Sequence, residues 1–382
     1  MLNDIKIGID ASRNRSGGAV AHLIGILTHC DPFKHGFMEV HLWAYESLLK
    51  SVPDRRWLIK HRAEELEDSL PTQLWWQATS LAAEIESSGC HILFTTDAST
   101  LCRFEPMVVL SQDMLSYEPG VMRYFGYGLA RLRLLMIFFV QNLAFRRAVG
   151  VVFLTHYAAK VIQESCGPLS NIAYIPHGVD AAFKLAKVIN NWPAPSERSI
   201  RCVYVSNTEM YKHQWVVVEA FAILRRRGHD LALTLVGGGN GPAQVMLHDA
   251  IAASKDTGIF VKQLDFLPHA CLPGLLAEAD LFVFASSCEN MPVTLIEAMA
   301  VGLPIVCSNR GPMPEVLADG GVFFDPLSAY SIAAATEKII QSPQLRLEVA
   351  QRAKTLAKQY SWKRCADETF SFLAQTYNLT KK

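Results

Sequence analysis

This chain of 382 residues lacks most of the marks that assign a protein to a class at sight. Its longest apolar run, Leu134 to Val140, is seven residues, far short of the ~20 that cross a bilayer. The nine cysteines are odd in number, scattered, and form no Cys-x-x-Cys pair. That argues against a disulfide framework or a zinc site and for a reducing compartment. Lys+Arg and Asp+Glu balance at 36 each, so no net charge recruits nucleic acid or membrane. The first residues, Met1-Leu2-Asn3-Asp4-Ile5-Lys6, hold no signal-peptide apolar segment, and there is no repeat or low-complexity tract. Three ligand signatures are missing as well. There is no Gly-x-Gly-x-x-Gly fingerprint, no Gly-Lys-Ser/Thr to close a P-loop, and no Asp-x-Asp to bridge a diphosphate through a metal. The expectation is a cytoplasmic protein, soluble or bound to a membrane surface, with no cofactor and no metal.

Half of the residues are apolar, ample for sizeable cores, and the length suits two or three domains. Strand-like runs at Ile5–Ile9, Glu39–Trp43, His91–Thr95, Met107–Ser111 and Val151–Thr155 alternate with helix-length segments such as 72–87 and 121–148. A second series runs through 201–205, 231–236, 259–262, 281–285 and 305–307. Such alternation predicts α/β architecture, with two doubly wound Rossmann-like domains facing a central cleft and ligands outside the carboxyl ends of the strands. The expected boundaries are 1–180, a polar, proline-broken linker over 181–200, and 201–360.

The most informative stretch is Ser287-Cys288-Glu289-Asn290-Met291-Pro292-Val293-Thr294-Leu295-Ile296-Glu297. A buried strand ends just before it, and Pro292 suits the first turn of a helix. Glu289 then stands in the loop, and Glu297, on the second helical turn, leans back toward the same place. Between them the amides of Met291, Val293 and Thr294 form an anion site. Two carboxylates beside a phosphate-binding helix start suit a ligand bearing hydroxyls and phosphate together, as a nucleotide-sugar does. The alternative is a loop carboxylate and a helix carboxylate in a structural salt bridge.

With Gly302-Leu303-Pro304-Ile305-Val306, Asn309-Arg310-Gly311-Pro312-Met313-Pro314-Glu315, Pro176-His177-Gly178-Val179-Asp180 and Tyr211-Lys212-His213-Gln214, this Glu-x7-Glu stretch resembles retaining glycosyltransferases of family 4. Two of these segments are nearest to bacterial surface-polysaccharide and O-antigen members. The resemblance is dense over 175–326, thinner over 7–27, and weak between. It implies the two-domain GT-B fold, with 361–382 packing back on the first domain. It implies a hexosyltransferase with a nucleoside diphosphate-sugar donor and a saccharide acceptor, lipid-linked in many relatives. Lys212 would bind the donor diphosphate, Glu289 the sugar hydroxyls, Glu297 the ribose, and Phe266 and Leu267 the base through backbone. Many members carry an arginine on the diphosphate five residues before the lysine. This chain has Asn207 there, with His213 or Arg310 as candidates to compensate, and Asn290-Met291 replaces a usual glycine.

Ser16-Gly17-Gly18-Ala19, between a strand and a helix, reads as a tight turn or, by the resemblance, as a contact of Gly17 and Gly18 with donor phosphate or acceptor. Gly237-Gly238-Gly239-Asn240-Gly241 reads as a turn at the cleft edge. Asp113, and more weakly Asp97, ends a strand of the first domain and either orients the acceptor hydroxyl or caps a turn. His177 and Asp180 suit a hinge rather than catalysis. The segment 121–149 holds five arginines and no acidic residue, which fits either an anionic membrane surface or a core helix with basic ends. Rival functions are a GT-B sugar-nucleotide epimerase or phosphorylase, and a non-catalytic nucleotide-binding partner subunit.

Overall fold

The computed structural model describes residues 5–15, 17–186, 188, 192–194 and 197–381. Met1–Asp4, Ser16 and, within the expected linker, Asn190, Asn191 and Pro195 lie outside the described residues. The chain divides into two compact units, Met1–Gly178 with Tyr360–Lys382, and Val179–Gln359.

The first unit is a parallel sheet of β1 (Ile5–Asp10), β2 (Phe37–Ala44), β3 (Leu58–Arg62), β4 (Ile92–Thr95), β5 (Met107–Leu110), β6 (Gly150–Phe153) and β7 (Ile172–Tyr174). Their order is β3-β2-β1-β4-β5-β6-β7. The central strands are buried on both faces, which is why they read as unbroken apolar runs rather than alternating ones. The second unit repeats the plan with β8 (Ile200–Val205), β9 (Leu231–Val236), β10 (Val261–Leu264), β11 (Leu281–Phe284), β12 (Ile305–Ser308) and β13 (Val322–Phe324), in the order β10-β9-β8-β11-β12-β13. In each sheet the winding reverses once, between β1 and β4 and between β8 and β11. The crevice outside the carboxyl ends of those two strands is where a doubly wound sheet binds its ligand.

Three strands were not expected from sequence. β3 is a half-exposed edge carrying Lys60, His61 and Arg62, and β7 and β13 are three residues each. Two expected helices are broken. The segment 72–87 is two helices, Leu70–Thr79 and Leu81–Ser87, meeting at Ser80. The segment 121–148 is a 3-10 turn, Val121–Phe125, and a helix, Leu129–Arg147, separated at Gly126, whose φ is +55°. The expected linker opens with a helix, Ala181–Leu185, that packs within the second unit on the helix Val293–Val301.

The last helix, Trp362–Thr380, lies in the first unit against the helix Gly17–His29. Trp362 is its anchor. A methyl group on Gly25 would come within 2.4 Å of the Trp362 ring, and one on Gly178 within 2.2 Å of its backbone nitrogen. Both positions therefore need glycine. Trp362→Ala should cost about 3–5 kcal/mol through the cavity it leaves, read as a lower urea midpoint. An unchanged midpoint would show that the helix docks without it.

Candidate active site

In the second unit the loops leaving β8 and β11 meet at the winding reversal. β8 ends at Val205 and leads through Asn207 and Thr208 to a 3-10 turn, Met210–Lys212. β11 ends at Phe284 and leads to Glu289. The Lys212 ammonium forms an ion pair with Oε1 of Glu289, 77 residues along the chain. Both side chains are largely buried, 11% and 15% exposed, so the pair is screened from water far more than a surface salt bridge.

The backbone around Lys212 is held from several sides. The Tyr204 hydroxyl donates to the Lys212 carbonyl at 2.8 Å, and Ser287 N–H donates to the Tyr211 carbonyl at 2.8 Å, tying the two loops together. His213 takes φ +50°, a left-handed conformation rare outside glycine. Its Nε2 lies 2.8 Å from Ser287 Oγ. Burial pushes the His213 imidazole down to about 4, so it is neutral at pH 7 and does not replace the missing arginine as a cation. Arg310 pairs with Asp325 at 3.2 Å. Asn207 is exposed in the β8 loop.

The glycine-rich loop after β9 lies under this loop. Gly237 has φ +111°, and a Cβ there would sit 2.3 Å from the Ser206 carbonyl oxygen. Gly239 comes equally close to Thr208, a Cβ falling 2.5 Å from its carbonyl oxygen. These glycines thus support the backbone that carries Asn207 and Thr208.

Pro292 precedes the helix Val293–Val301. The N–H groups of Val293 and Thr294, in its first turn, have no intrahelical acceptor and carry the positive end of the helix dipole. Thr294 Oγ1 donates to the Val205 carbonyl at 3.2 Å, fixing this helix start beside the end of β8. Met291 is buried in the same loop. One turn further, Glu297 is buried, its side chain 4% exposed. Its Oε1 lies 2.6 Å from His269 Nε2, and burial raises the carboxyl above its ordinary value while the histidine bond opposes the rise. His269 escaped the sequence reading although it stands two residues beyond Leu267. A histidine in a polar turn carries no signal until its partner is placed. Phe266 is 84% exposed and Leu267 half-buried.

In the first unit, Asp113 Oδ1 accepts from the Leu115 N–H at 3.0 Å, and burial raises its carboxyl above the ordinary range. Asp97 accepts similarly from Ser99 N–H at 2.5 Å. Each therefore closes a turn. Gly17 and Gly18 open the helix Gly17–His29, Gly17 at φ +61° with open space around it. His177 is buried with its Nδ1 2.9 Å from that of His22. The helix Leu129–Arg147 packs inward through Leu134, Ala144 and Phe145. Leu129, Leu132, Met136, Phe139 and Leu143 face outward, 84%, 54%, 62%, 68% and 56% exposed. It is a core helix on one face only. No helix among the described residues is long and apolar enough to cross a membrane.

Known proteins resemble this arrangement. The chain superposes over 98% of its length on all of a sucrose-phosphate synthase from Thermosynechococcus elongatus, with a TM-score of 0.78 and 15% identity. It superposes over 99% on 99% of Anabaena HepE in complex with UDP-glucose, with a TM-score of 0.68 and 20% identity. Together with the two doubly wound sheets, these likenesses show the GT-B fold. In sequence, 169 residues are 28% identical to the O-antigen chain mannosyltransferase B of Escherichia coli, 44% of each chain. The chain spans about half the length of the first curated relatives it matches. Residues 190–356, which include Lys212, His269, Glu289 and Glu297, match the family described as Glycosyl transferases group 1.

Proposed function

We propose that this protein is a retaining, family 4-like glycosyltransferase. It moves a hexose from a nucleoside diphosphate-sugar to a hydroxyl of a lipid-linked saccharide in bacterial surface-polysaccharide or O-antigen synthesis. One observation carries the reading: the Lys212–Glu289 pair stands where β8 and β11 diverge, beside the start of the helix that carries Glu297. HepE, of the same fold, binds UDP-glucose, and the E. coli relative is named as an O-antigen mannosyltransferase.

The donor diphosphate takes over Lys212 and the N–H groups of Val293 and Thr294, with Met291, Asn207, Gly17 and Gly18 as further contacts. Glu289, released from Lys212, accepts hydrogen bonds from the sugar hydroxyls. Glu297 binds the ribose, and Phe266 and Leu267 the base. The bond from the anomeric carbon to phosphate oxygen breaks, and the electron pair leaves with the diphosphate. The acceptor oxygen bonds the anomeric carbon on the same face, and its proton passes to the departing phosphate oxygen. Asp113 orients that acceptor. With no Asp-x-Asp in the sequence, the reading gives diphosphate neutralisation to Lys212 and the amides, without a metal. Incubation with nucleotide-sugars and bacterial saccharide acceptors, followed by proton NMR of the product, tests it. Retention of anomeric configuration is expected, and inversion would overturn it.

The exposed stripe of Leu129–Arg147 supports peripheral contact with the anionic cytoplasmic face of a membrane. Arg123 and Arg133 are exposed with it, and 121–149 contains no acidic residue. Pairing with a second copy would set arginines against arginines, whereas anionic headgroups contribute about 1 kcal/mol per arginine. Binding to vesicles containing phosphatidylglycerol, but not to purely zwitterionic ones, is expected. Joint replacement of Leu132 and Phe139 by glutamate should weaken it at least about tenfold. Equal binding by that variant would remove the helix from the contact.

A further inference from the structure

Glu297 is the group that the proposed reading assigns to ribose, yet it is almost wholly buried and already engaged. The group bonded to it that still touches solvent is His269, whose side chain is 49% exposed. His269 reaches Glu297 Oε1 through Nε2 at 2.6 Å. Its Nδ1 lies 3.6 Å from Asp180 Oδ2, just ahead of the helix Ala181–Leu185. The ring of Phe183, from that helix, packs at 5.2 Å. Every one of these residues is in the second unit. An imidazole hydrogen-bonded to one carboxylate and within ion-pair distance of a second is favoured in its protonated form. The bonds and charges of Glu297 and Asp180 outweigh burial and raise His269 above its ordinary value of 6.5.

We infer that His269 is a nucleotide-site residue that covers the ribose carboxylate and must swing away from Glu297 before a nucleotide can bind. The inference rests on Glu297 being the ribose ligand. Asp180 then has a role beyond a hinge: its charge, 3.6 Å from Nδ1, favours the protonated imidazole in the covering position. The exposed loop around His269 has room to move, since Asp265, Phe266, Pro268, Ala270 and Cys271 are all exposed.

The consequence is a proton linkage. In the free protein His269 holds its proton above pH 6.5, because its pKa there is raised. Once displaced into solvent it returns toward its ordinary value and releases the proton. Nucleotide affinity therefore rises with pH from about 6.5 through the raised value of the free protein, and is flat above it.

The test is calorimetric titration of the intact protein with UDP, GDP, ADP and dTDP at pH 6.0, 7.0 and 8.0, on wild type, His269→Ala and His269→Asn. For whichever diphosphate binds, wild type should tighten about 3–10-fold from pH 6.0 to 8.0. Both variants should bind at least as tightly as wild type at pH 6.0 and lose the pH dependence. An NMR titration of the His269 ring should show a raised pKa that falls when the nucleotide is added. Weaker binding by both variants at every pH would make His269 a ligand contact or a support for Glu297 and overturn the inference, leaving the nucleotide reading intact. Failure of wild type to bind any nucleoside diphosphate would overturn both.

Discussion

If the chain is the glycosyltransferase proposed, Lys212→Ala should lower kcat for sugar transfer by about 10²–10³-fold, the usual loss when one preorganised donor to a developing anion is removed. The size follows from position. Lys212 is 9% exposed, its backbone is bonded by Tyr204, and the following residue is held in a left-handed conformation. A charge so placed needs no reorganisation when the diphosphate leaves. Its only ion pair among the described residues is with Glu289, a group the sugar itself is expected to engage. Since Asn207 replaces the arginine of many relatives and His213 is neutral, no second side-chain cation in this loop shares the load. The effect should fall on kcat more than on KM, because charge accumulates on the diphosphate in the transition state. Steady-state kinetics of the variant decide it. A change below threefold would remove Lys212 from leaving-group stabilisation.

On the same reading, Glu297→Ala should weaken binding of the nucleoside diphosphate about 10–150-fold, the equivalent of one hydrogen bond to a charged group at about 1.5–3 kcal/mol. Ribose hydroxyls donate to a carboxylate, and the substitution removes that acceptor. The same substitution frees His269 from its closest bond, so the residual binding should lose its pH dependence. Calorimetric titration measures both. Unchanged affinity would mean that the nucleotide does not reach this helix.

The sequence carried the architecture because parallel strands buried on both faces are short unbroken apolar runs, as at Met107–Leu110 and Leu281–Phe284. Strands without that burial stayed hidden: β3 on an edge, β7 and β13 at three residues. Local chemistry also placed Glu289 in a loop and Glu297 on a helix, since a proline marks the helix start between them. The pairing of Glu289 with Lys212 was beyond reach, because it depends on which strands become neighbours across 77 residues. The same holds for His269 and Asp180, which only the packing of three separate segments brings to Glu297. The outward stripe of Leu129–Arg147 was masked by its own composition, apolar on both the packed and the exposed face.

On the proposed reading, one nucleoside diphosphate binds the second unit through Lys212 and Glu297 without a metal. The most direct test is calorimetric titration of UDP, GDP, ADP and dTDP in EDTA against wild type, Lys212→Ala and Glu297→Ala. Saturable binding of one diphosphate by wild type, unaffected by EDTA and weakened at least tenfold in both variants, is the predicted result. Binding that vanishes in EDTA, or that both variants retain in full, would rule out a metal-free site at Lys212 and Glu297.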